Sequence, residues 1–139
     1  MAKKTGSDKY FEGIGRRKTA VARVRFLPAS KELFYRVNGK DYQLYFDVKR
    51  LSQLVVAPLK VLDGTARKES AVEVKVRGGG ITAQSEAVVL GLARALTKFN
   101  EDFKKELRVM GYLTRDSRRV ERKKFGLKKA RRAPQWRKR

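Results

Sequence analysis

The chain of 139 residues contains no cysteine and no histidine. It therefore has no disulfides, no thiolate or imidazole metal ligands, no cysteine nucleophile and no histidine general base. No apolar run approaches the roughly 18 residues of a membrane-spanning helix, and the first residues lack the apolar core of a secretory signal. We expect no catalytic residue, no metal, no cofactor and no membrane partner, and a cysteine-free chain suits the cytosol.

Acidic residues are also scarce, with 14 Asp and Glu against 36 Lys and Arg, and the net charge is +22. Such a charge repels itself and favours a polyanionic partner, for which nucleic acid, an anionic membrane and an acidic protein are candidates. Residues 1–25 carry net +6, residues 26–114 net +5 and residues 115–139 net +11. The uneven distribution predicts an ordinary domain followed by a basic tail.

Two stretches alternate between apolar and polar residues, as strands with one buried face do. Residues 19–26 place alanine, valine and phenylalanine on one face and two arginines on the other, and residues 70–77 alternate in the same way. Asn38-Gly39 follows a short apolar stretch at 33–37. Because both residues tolerate positive φ, this pair predicts a two-residue hairpin whose return strand begins at Lys40.

Helical spacing of apolar residues predicts two further segments. Asp47 would cap a helix over residues 48–55, and Pro58 would stop it. Residues 59–62 are a brief apolar strand or the end of that helix.

A longer apolar stripe runs through residues 88–99, and Thr82 or Ser85 would cap this helix. The same spacing continues through residue 110 to Gly111, a C-terminal capping glycine.

Strands and helices interleave, so the predicted fold class is α+β, a two-layer sandwich of about four strands covered by two or three helices. Residues 1–12 read as a flexible leader, 13–113 as a globular α+β domain and 114–139 as an extended basic tail. The tail has too few apolar residues to fold alone, so we expect it to stay extended until it meets a partner. Its irregular basic clusters, with Gly126 and Pro134, disfavour a membrane helix. Its last 25 residues would reach on the order of 80 Å.

Adjacent cations after a glycine suggest a phosphate site. Arg16, Arg17 and Lys18 precede the first predicted strand, and Arg23 and Arg25 extend the patch along one face of it. Arginine binds phosphate in a bidentate way, and glycine lets the main chain approach. The alternative is a basic edge that protects the end of a strand. In a chain of this charge we favour phosphate binding.

Gly78-Gly79-Gly80 connects a predicted strand to a helix. It lacks the ending of a P-loop, and Ala83 breaks the dinucleotide-binding pattern. Two interpretations stay open. The run is either a turn that needs positive φ at consecutive residues, or a place where the backbone approaches RNA at a helix N-terminus.

The carboxylates and most aromatic residues fit structural roles. Glu101-Asp102 suits the first turn of a helix. Aromatic residues such as Tyr35 and Phe46 more often fill a small core than stack on bases. Trp136 differs because it lies in the tail, where it would stack on a base or pack against a partner.

Six short motifs stand in a characteristic order along the chain. They are Gly13-Ile14-Gly15-Arg16-Arg17-Lys18 with Ala20-Val21-Ala22-Arg23-Val24, Val37-Asn38-Gly39-Lys40, Val76-Arg77-Gly78-Gly79-Gly80, Ala93-Arg94-Ala95-Leu96, Leu113-Thr114-Arg115-Asp116, and Glu121-Arg122-Lys123-Lys124 through Lys138-Arg139. In this order they resemble the bacterial-type family of ribosomal protein nine of the small subunit. Two positions depart from the family pattern, which often has glycine at Ala83 and usually phenylalanine at Trp136.

The resemblance implies a βαβ-containing sandwich like the second domain of ribosomal protein five of the small subunit. It implies a structural constituent of the subunit head, with ribosomal RNA and neighbouring head proteins as partners. It also implies that the tail reaches peptidyl-site transfer RNA, which Lys138 and Arg139 would touch. The residues expected to bind ribosomal RNA are Arg16, Arg17, Lys18, Arg23, Gly78, Gly79, Gly80, Arg115, Arg118, Arg119, Arg122, Lys123, Lys124, Lys128, Lys129, Arg131 and Arg132.

Two other functions stay open from the residues alone. A small RNA-modifying enzyme with a basic tail would have little chemistry to offer without His, Cys or an intact nucleotide loop. A nonspecific nucleic-acid chaperone would tolerate scrambling of the tail at constant charge. The expected location is the cytoplasm, in the ribosome, and an organellar ribosome fits the same residues.

Overall fold

The computed structural model describes residues 10–28, 34–62 and 70–137, which form a mixed sheet covered by helices on one face. The strands are β1 (Phe11–Arg17), β2 (Ala20–Leu27), β3 (Tyr35–Val37), β4 (Lys40–Asp41) and β5 (Ala71–Arg77). The helices are α1 (Tyr42–Tyr45), α2 (Lys49–Val56), α3 (Ile81–Phe99) and α4 (Phe103–Val109), with a 3₁₀ turn at Ala57–Val61.

The five strands lie in the order β1-β2-β5-β3-β4. All neighbours are antiparallel except β3 and β5, which are parallel and joined by a crossover through α1 and α2. Helix α3 packs across β1 and β2, and α2 packs beside it. The predicted α+β two-layer sandwich is confirmed, and the described residues form five strands where about four were expected.

Alternation along β2 and β5 is confirmed within one residue of the predicted bounds. The core side chains of β2 are at most 1% exposed, and they are Ala20, Ala22, Val24 and Phe26. Val72, Val74 and Val76 of β5 continue this layer toward Leu92 and Leu96 of α3, which are fully buried. The opposite side chains of both strands point away from the helices.

Strand β1 was not predicted, and its first two residues correct the expected leader, since it begins at Phe11. Gly13 and Gly15 occupy its buried positions, where a strand normally carries apolar side chains. A Cβ on Gly13 would stand 2.1 Å from the Gly91 carbonyl oxygen of α3. The glycines are therefore required for close approach of α3 to β1. Residues 1–9 of the predicted leader lie outside the described residues.

The predicted hairpin at Asn38-Gly39 is confirmed, with φ of 50° and 81° and a return strand from Lys40. Asn38 also extends the parallel pairing of β3 with β5. Its backbone N–H donates to the Val74 carbonyl at 2.8 Å, its side-chain amide donates to the Val76 carbonyl at 3.0 Å, and its side-chain oxygen accepts from the Val76 N–H at 2.9 Å. The side chain thus replaces one residue of the strand ladder.

The predicted cap at Asp47 is wrong by one residue, because α2 begins after Val48, whose carbonyl accepts the first helical hydrogen bonds. Helix α2 ends at Val56, before Pro58 as predicted, and Pro58 lies in the first turn of the 3₁₀ segment that follows. Proline is tolerated there because first-turn N–H groups have no intrahelical partner.

Helix α3 confirms the predicted stripe, but its cap is Gly80. Thr82 and Ser85 lie inside the helix, where the Ser85 hydroxyl donates to the Thr82 carbonyl at 2.8 Å. The predicted continuation through residue 110 is broken at Asn100, whose side chain accepts the Asp102 N–H.

Helix α4 ends at the predicted glycine. Gly111 has φ of 76°, and its N–H donates to the Arg108 carbonyl. The Tyr112 N–H donates to the Leu107 carbonyl, so the helix is closed by a Schellman motif.

Residues 114–137 contain neither helix nor strand. Within the described ranges, no helix is long and apolar enough to cross a membrane, and no group of acidic side chains is arranged to hold a metal ion. That the tail orders only on meeting a partner stays a prediction.

Candidate nucleic-acid interface

The face of the sheet opposite the helices, here called the open face, is basic. It carries six cations and three acids on the described strands: Arg16, Arg23, Arg25, Arg36, Lys75 and Arg77, with Glu12, Glu73 and Asp41. In the β2–β5 register Arg23 lies directly opposite Lys75. Like charges at facing positions destabilise a sheet, so this pair favours an anion nearby.

Two of these acids, Glu12 and Glu73, pair with the two arginines of β2, and the Asp41 carboxylate accepts from the Gln43 N–H. Glu12 contacts Arg23 at 2.9 Å and Arg25 at 3.6 Å, and Glu73 contacts Arg25 at 3.5 Å. Arg25 also lies over the Tyr10 ring, 5.1 Å from its centroid. In the described parts of the chain, Arg16, Lys75 and Arg77 enter no ion pair, which leaves their charge available for a ligand.

A shallow concavity of about 390 Å³ lies on the open face. The aliphatic side chains of Ile14 and Val21 form its floor, and its rim includes Arg16 and Lys75. No aromatic ring is among the described residues that line it. The arrangement suits contact with phosphate and sugar, because its lining cations bind phosphate and no aromatic side chain offers a stacking surface.

The glycine run and the β1–β2 turn meet at one end of the sheet. Lys18 lies in the turn with φ of 50° and is exposed. Gly78 and Gly79 have φ of 75° and 66°, and a Cβ on Gly78 would stand 2.6 Å from the Thr19 carbonyl oxygen. The turn interpretation is therefore confirmed for these two glycines. Gly80 has neither a positive φ nor a close neighbour.

Gln84 fastens the glycine run to the helix that follows it. Its side-chain amide donates to the Gly78 carbonyl at 3.1 Å and its oxygen accepts from the Tyr45 hydroxyl at 2.9 Å. Ala83, where the family often has glycine, is buried in the first turn of α3 with ordinary helical structure.

The side chain of Arg17 lies apart from those of Arg16 and Lys18, with which it was grouped in the predicted phosphate site. Its side chain leaves the helix-facing side of β1 and is only 12% exposed. The guanidinium binds the carboxylates of Glu86 and Asp116 and the Arg118 carbonyl. Three groups of the chain itself, one on α3 and two in the tail, thus occupy the donors of Arg17.

The predicted cations of the tail lie at its surface. Arg118 binds the Asp116 carboxylate through both Nε and Nη2, and Glu121 pairs with Lys124 and Arg131. The exposed remainder comprises Arg115, Arg119, Arg122, Lys123, Lys128, Lys129 and Arg132. Lys138 and Arg139 lie outside the described residues.

Most aromatic residues fill the core as predicted. Phe46 is fully buried, and Tyr35 is 8% exposed with its hydroxyl donating to the Val55 carbonyl at 3.2 Å. Burial, and secondarily Tyr42, raises the pKa of Tyr35 well above its usual value, so the phenol stays a donor. Trp136 is 91% exposed.

Sequence reasoning missed three candidate residues of the open face, which are Arg36, Lys75 and Arg77. The alternation of residues 70–77 had placed the latter two outward. What it lacked was the pairing of β5 with β2, which brings them beside Arg16 and Arg23. The alternation therefore indicated that Lys75 and Arg77 are exposed on one face of a strand. Only the order of the strands in the sheet shows that this face is shared with Arg16 and Arg23.

Comparison with known proteins identifies the family. The family described as ribosomal protein S9/S16 matches residues 15–139. Small ribosomal subunit protein uS9 of Thermus thermophilus is 45% identical over 129 residues, covering 93% of this chain and 98% of the relative. The protein of the same name from Nostoc punctiforme is 49% identical over 128 residues, covering 91% and 90%.

A third relative, small ribosomal subunit protein uS9c of Gracilaria tenuistipitata, is 45% identical over 130 residues, covering 93% of this chain and 92% of its own length. These matches span nearly the whole chain, so the resemblance seen in the ordered motifs is confirmed. They also remove the RNA-modifying enzyme from consideration, since the matched family is structural. The chain belongs to the ribosomal protein S9/S16 family, whose members are non-enzymatic proteins of the small ribosomal subunit.

Proposed function

We propose that this protein is built into the small ribosomal subunit by binding ribosomal RNA through its open face and its tail. The observation that carries the proposal is the one-sided sheet, in which helices cover one face and cations line the other. A +22 chain is stabilised when a polyanion offsets its self-repulsion. Membership of the ribosomal family makes RNA the polyanion.

Arg16, Lys75 and Arg77 are the principal phosphate ligands of the open face in this proposal. They flank the aliphatic floor of the concavity and enter no ion pair among the described residues. Lys18 and the N-terminal end of α3 at Gly80 extend the phosphate contacts beyond the end of the sheet. Recognition is of backbone and shape, because the described lining has no aromatic ring for base stacking.

The tail neutralises further phosphates. Its net +11 over residues 115–139 is denser than anywhere else in the chain. In the proposal it runs into folded RNA of the subunit head, among neighbouring head proteins. Lys138 and Arg139 then contact peptidyl-site transfer RNA, and the exposed Trp136 stacks on a base or packs against a partner there.

Two variants of equal charge test the role of the open face. One is Arg16→Gln/Lys75→Gln/Arg77→Gln, and its matched control removes three exposed cations from the helical layer, Lys49→Gln/Lys60→Gln/Lys104→Gln. Binding to small-subunit ribosomal RNA is measured over a range of salt. The open-face variant should lower the slope of log affinity against log salt by about 2 to 3, because each lost phosphate contact removes about 0.7 to 0.9. Equal losses from both variants would contradict the proposal.

A second experiment separates specific assembly from a nonspecific chaperone. Tagged protein should co-sediment with small subunits in low-salt sucrose gradients. A variant whose residues 117–137 are scrambled at constant composition should incorporate less well, because the positions of the tail cations are matched to the RNA. Full incorporation of the scrambled variant would favour the nonspecific alternative.

A further inference from the structure

Arg17 joins three segments that are distant in sequence. Its Nε donates to the Glu86 carboxylate of α3, its Nη2 binds the Asp116 carboxylate at 2.9 Å, and its Nη1 donates to the Arg118 carbonyl at 2.9 Å. A single guanidinium from β1 therefore holds the central helix and the first residues of the tail. The planar fork of arginine is suited to such a junction, since a lysine offers only a point charge.

The tail side of this junction is ordered by its own contacts. The Asp116 carboxylate accepts from the Arg118 N–H at 2.9 Å and from the Arg118 guanidinium, so residues 116–118 are held by their own contacts. The Arg118 carbonyl of this segment accepts from Arg17. Asp116 thus serves both as a ligand of Arg17 and as the group that holds Arg118 beside it.

A second, apolar attachment precedes the junction. After the Schellman motif at Gly111, Tyr112 and Leu113 pack against the core. These contacts alone would hold the chain only as far as residue 113. The Arg17 contacts extend the attachment by up to five residues, to Arg118, from which 21 residues follow.

We propose that Arg17 is a positioning residue, which sets the direction in which the basic tail leaves the globular domain. The inference rests on the proposed function, in which that tail enters folded RNA. A segment that is already held in its bound direction loses less conformational freedom on binding. Arg17 therefore promotes RNA binding without touching RNA, whereas its neighbour Arg16 contacts phosphate directly.

The first test measures the direction of the tail in the free protein. The chain has no cysteine, so spin labels attach only at cysteines that are introduced. The two chosen sites, Gln53→Cys on α2 and Val120→Cys in the tail, are both exposed. Pulsed electron paramagnetic resonance should give a narrow distribution of distances between the two labels for the parent and for Arg16→Gln. It should give a distribution at least about twice as wide for Arg17→Gln, and an intermediate one for Arg17→Lys because a point charge replaces the fork. An unchanged width in Arg17→Gln would overturn the proposal.

A variant on the tail side guards against a folding defect. Asp116→Asn leaves the Arg17–Glu86 pair in place and removes only the charged partner in the tail. It should broaden the distribution while the thermal unfolding midpoint stays close to that of the parent. A narrow distribution in this variant would equally contradict the assignment.

The second test reads the consequence for RNA. Arg17→Gln should bind small-subunit ribosomal RNA roughly tenfold more weakly with an unchanged salt slope, because it loses no phosphate contact. Arg16→Gln should lower the slope by about 0.7 to 0.9. Parent affinity in Arg17→Gln despite a wide distribution would refute the positioning role. If the parent itself did not bind ribosomal RNA, the proposed function would be refuted. The distance measurement would still test whether Arg17 sets the direction of the tail in the free protein.

Discussion

Gly15 of β1 lies so close to α3 that a Cβ on it would stand 1.8 Å from the Ala87 carbonyl oxygen. Gly91 meets the same strand from the helix side, where a Cβ would stand 3.1 Å from the Gly15 nitrogen. This contact sets how deeply the helix sits on the strand. It therefore also places Arg17, two residues further along β1 on the same face, within reach of Glu86 on that helix.

Replacing Gly15 with alanine should lower the urea concentration at which the protein unfolds. The added methyl group clashes with backbone that has no room to move, so we expect a loss of about 3 kcal/mol or more. Urea unfolding followed by circular dichroism measures it. Gly80→Ala is the control and should cost less than about 1 kcal/mol, because nothing lies within 4 Å of that position. A loss below about 1 kcal/mol for Gly15→Ala would contradict the packing described.

Asn38→Asp tests the side chain that substitutes for a strand residue. Aspartate keeps the shape and accepts from the Val76 N–H, but it cannot donate to the Val76 carbonyl. We expect a loss of about 1 to 3 kcal/mol, since a half-buried carbonyl is left facing a carboxylate. Gln53→Glu makes the same chemical change at an exposed site and should stay within about 0.5 kcal/mol of the parent. Equal effects of the two variants would argue against this role.

The carboxyl of Asp116 should remain ionised in acid. Hydrogen bonds from the Arg118 side chain and backbone, with the charges of Arg118 and Arg17, hold the pKa of Asp116 well below its usual range. Because the native pKa is lowered, the stabilisation is present above about pH 3.9 and is lost only as pH falls through the lower native value. Carbon-13 NMR of the carboxyl follows this titration. In Arg118→Gln the pKa should move back toward about 3.9, and the same titration in both proteins would refute the assignment.

Deletion of residues 136–139 should weaken peptidyl-site transfer RNA binding and leave subunit incorporation intact, because the globular attachment remains. We expect about a tenfold loss of affinity, equivalent to about 1.4 kcal/mol, in filter binding to reconstituted subunits. Arg137→Gln/Lys138→Gln/Arg139→Gln keeps Trp136 and separates the ring from the charges. Parent affinity in the deletion variant would rule out the contact.

Features encoded by nearby residues were predicted well. The alternation of β2 and β5, the hairpin at Asn38-Gly39 and the stop at Gly111 depend on side chains within a few positions, and each is confirmed. Cap positions were less accurate. Val48 and Gly80 cap α2 and α3 without a side-chain hydrogen bond, so no polar residue marked them.

Features that depend on distant segments were missed for physical reasons. Strand β1 carries glycine at its buried positions, so it has no apolar alternation to detect. Arg17 and Arg16 are adjacent, and the positions of Glu86 and Asp116, 69 and 99 residues away, distinguish their roles. Lys75 joins Arg23 through strand pairing that no local pattern contains.

The central claim, that the open face meets ribosomal RNA, is tested most directly by RNA cleavage from probes on the two sides of the sheet. An iron chelate that generates hydroxyl radicals is attached at Ile14→Cys on the open face or at Gln53→Cys on α2, each the only cysteine of its variant. Both proteins are reconstituted into small subunits. We predict strong cleavage confined to a few neighbouring RNA segments from position 14 and weaker cleavage from position 53. Weak cleavage from position 14 with strong cleavage from position 53 would contradict the account.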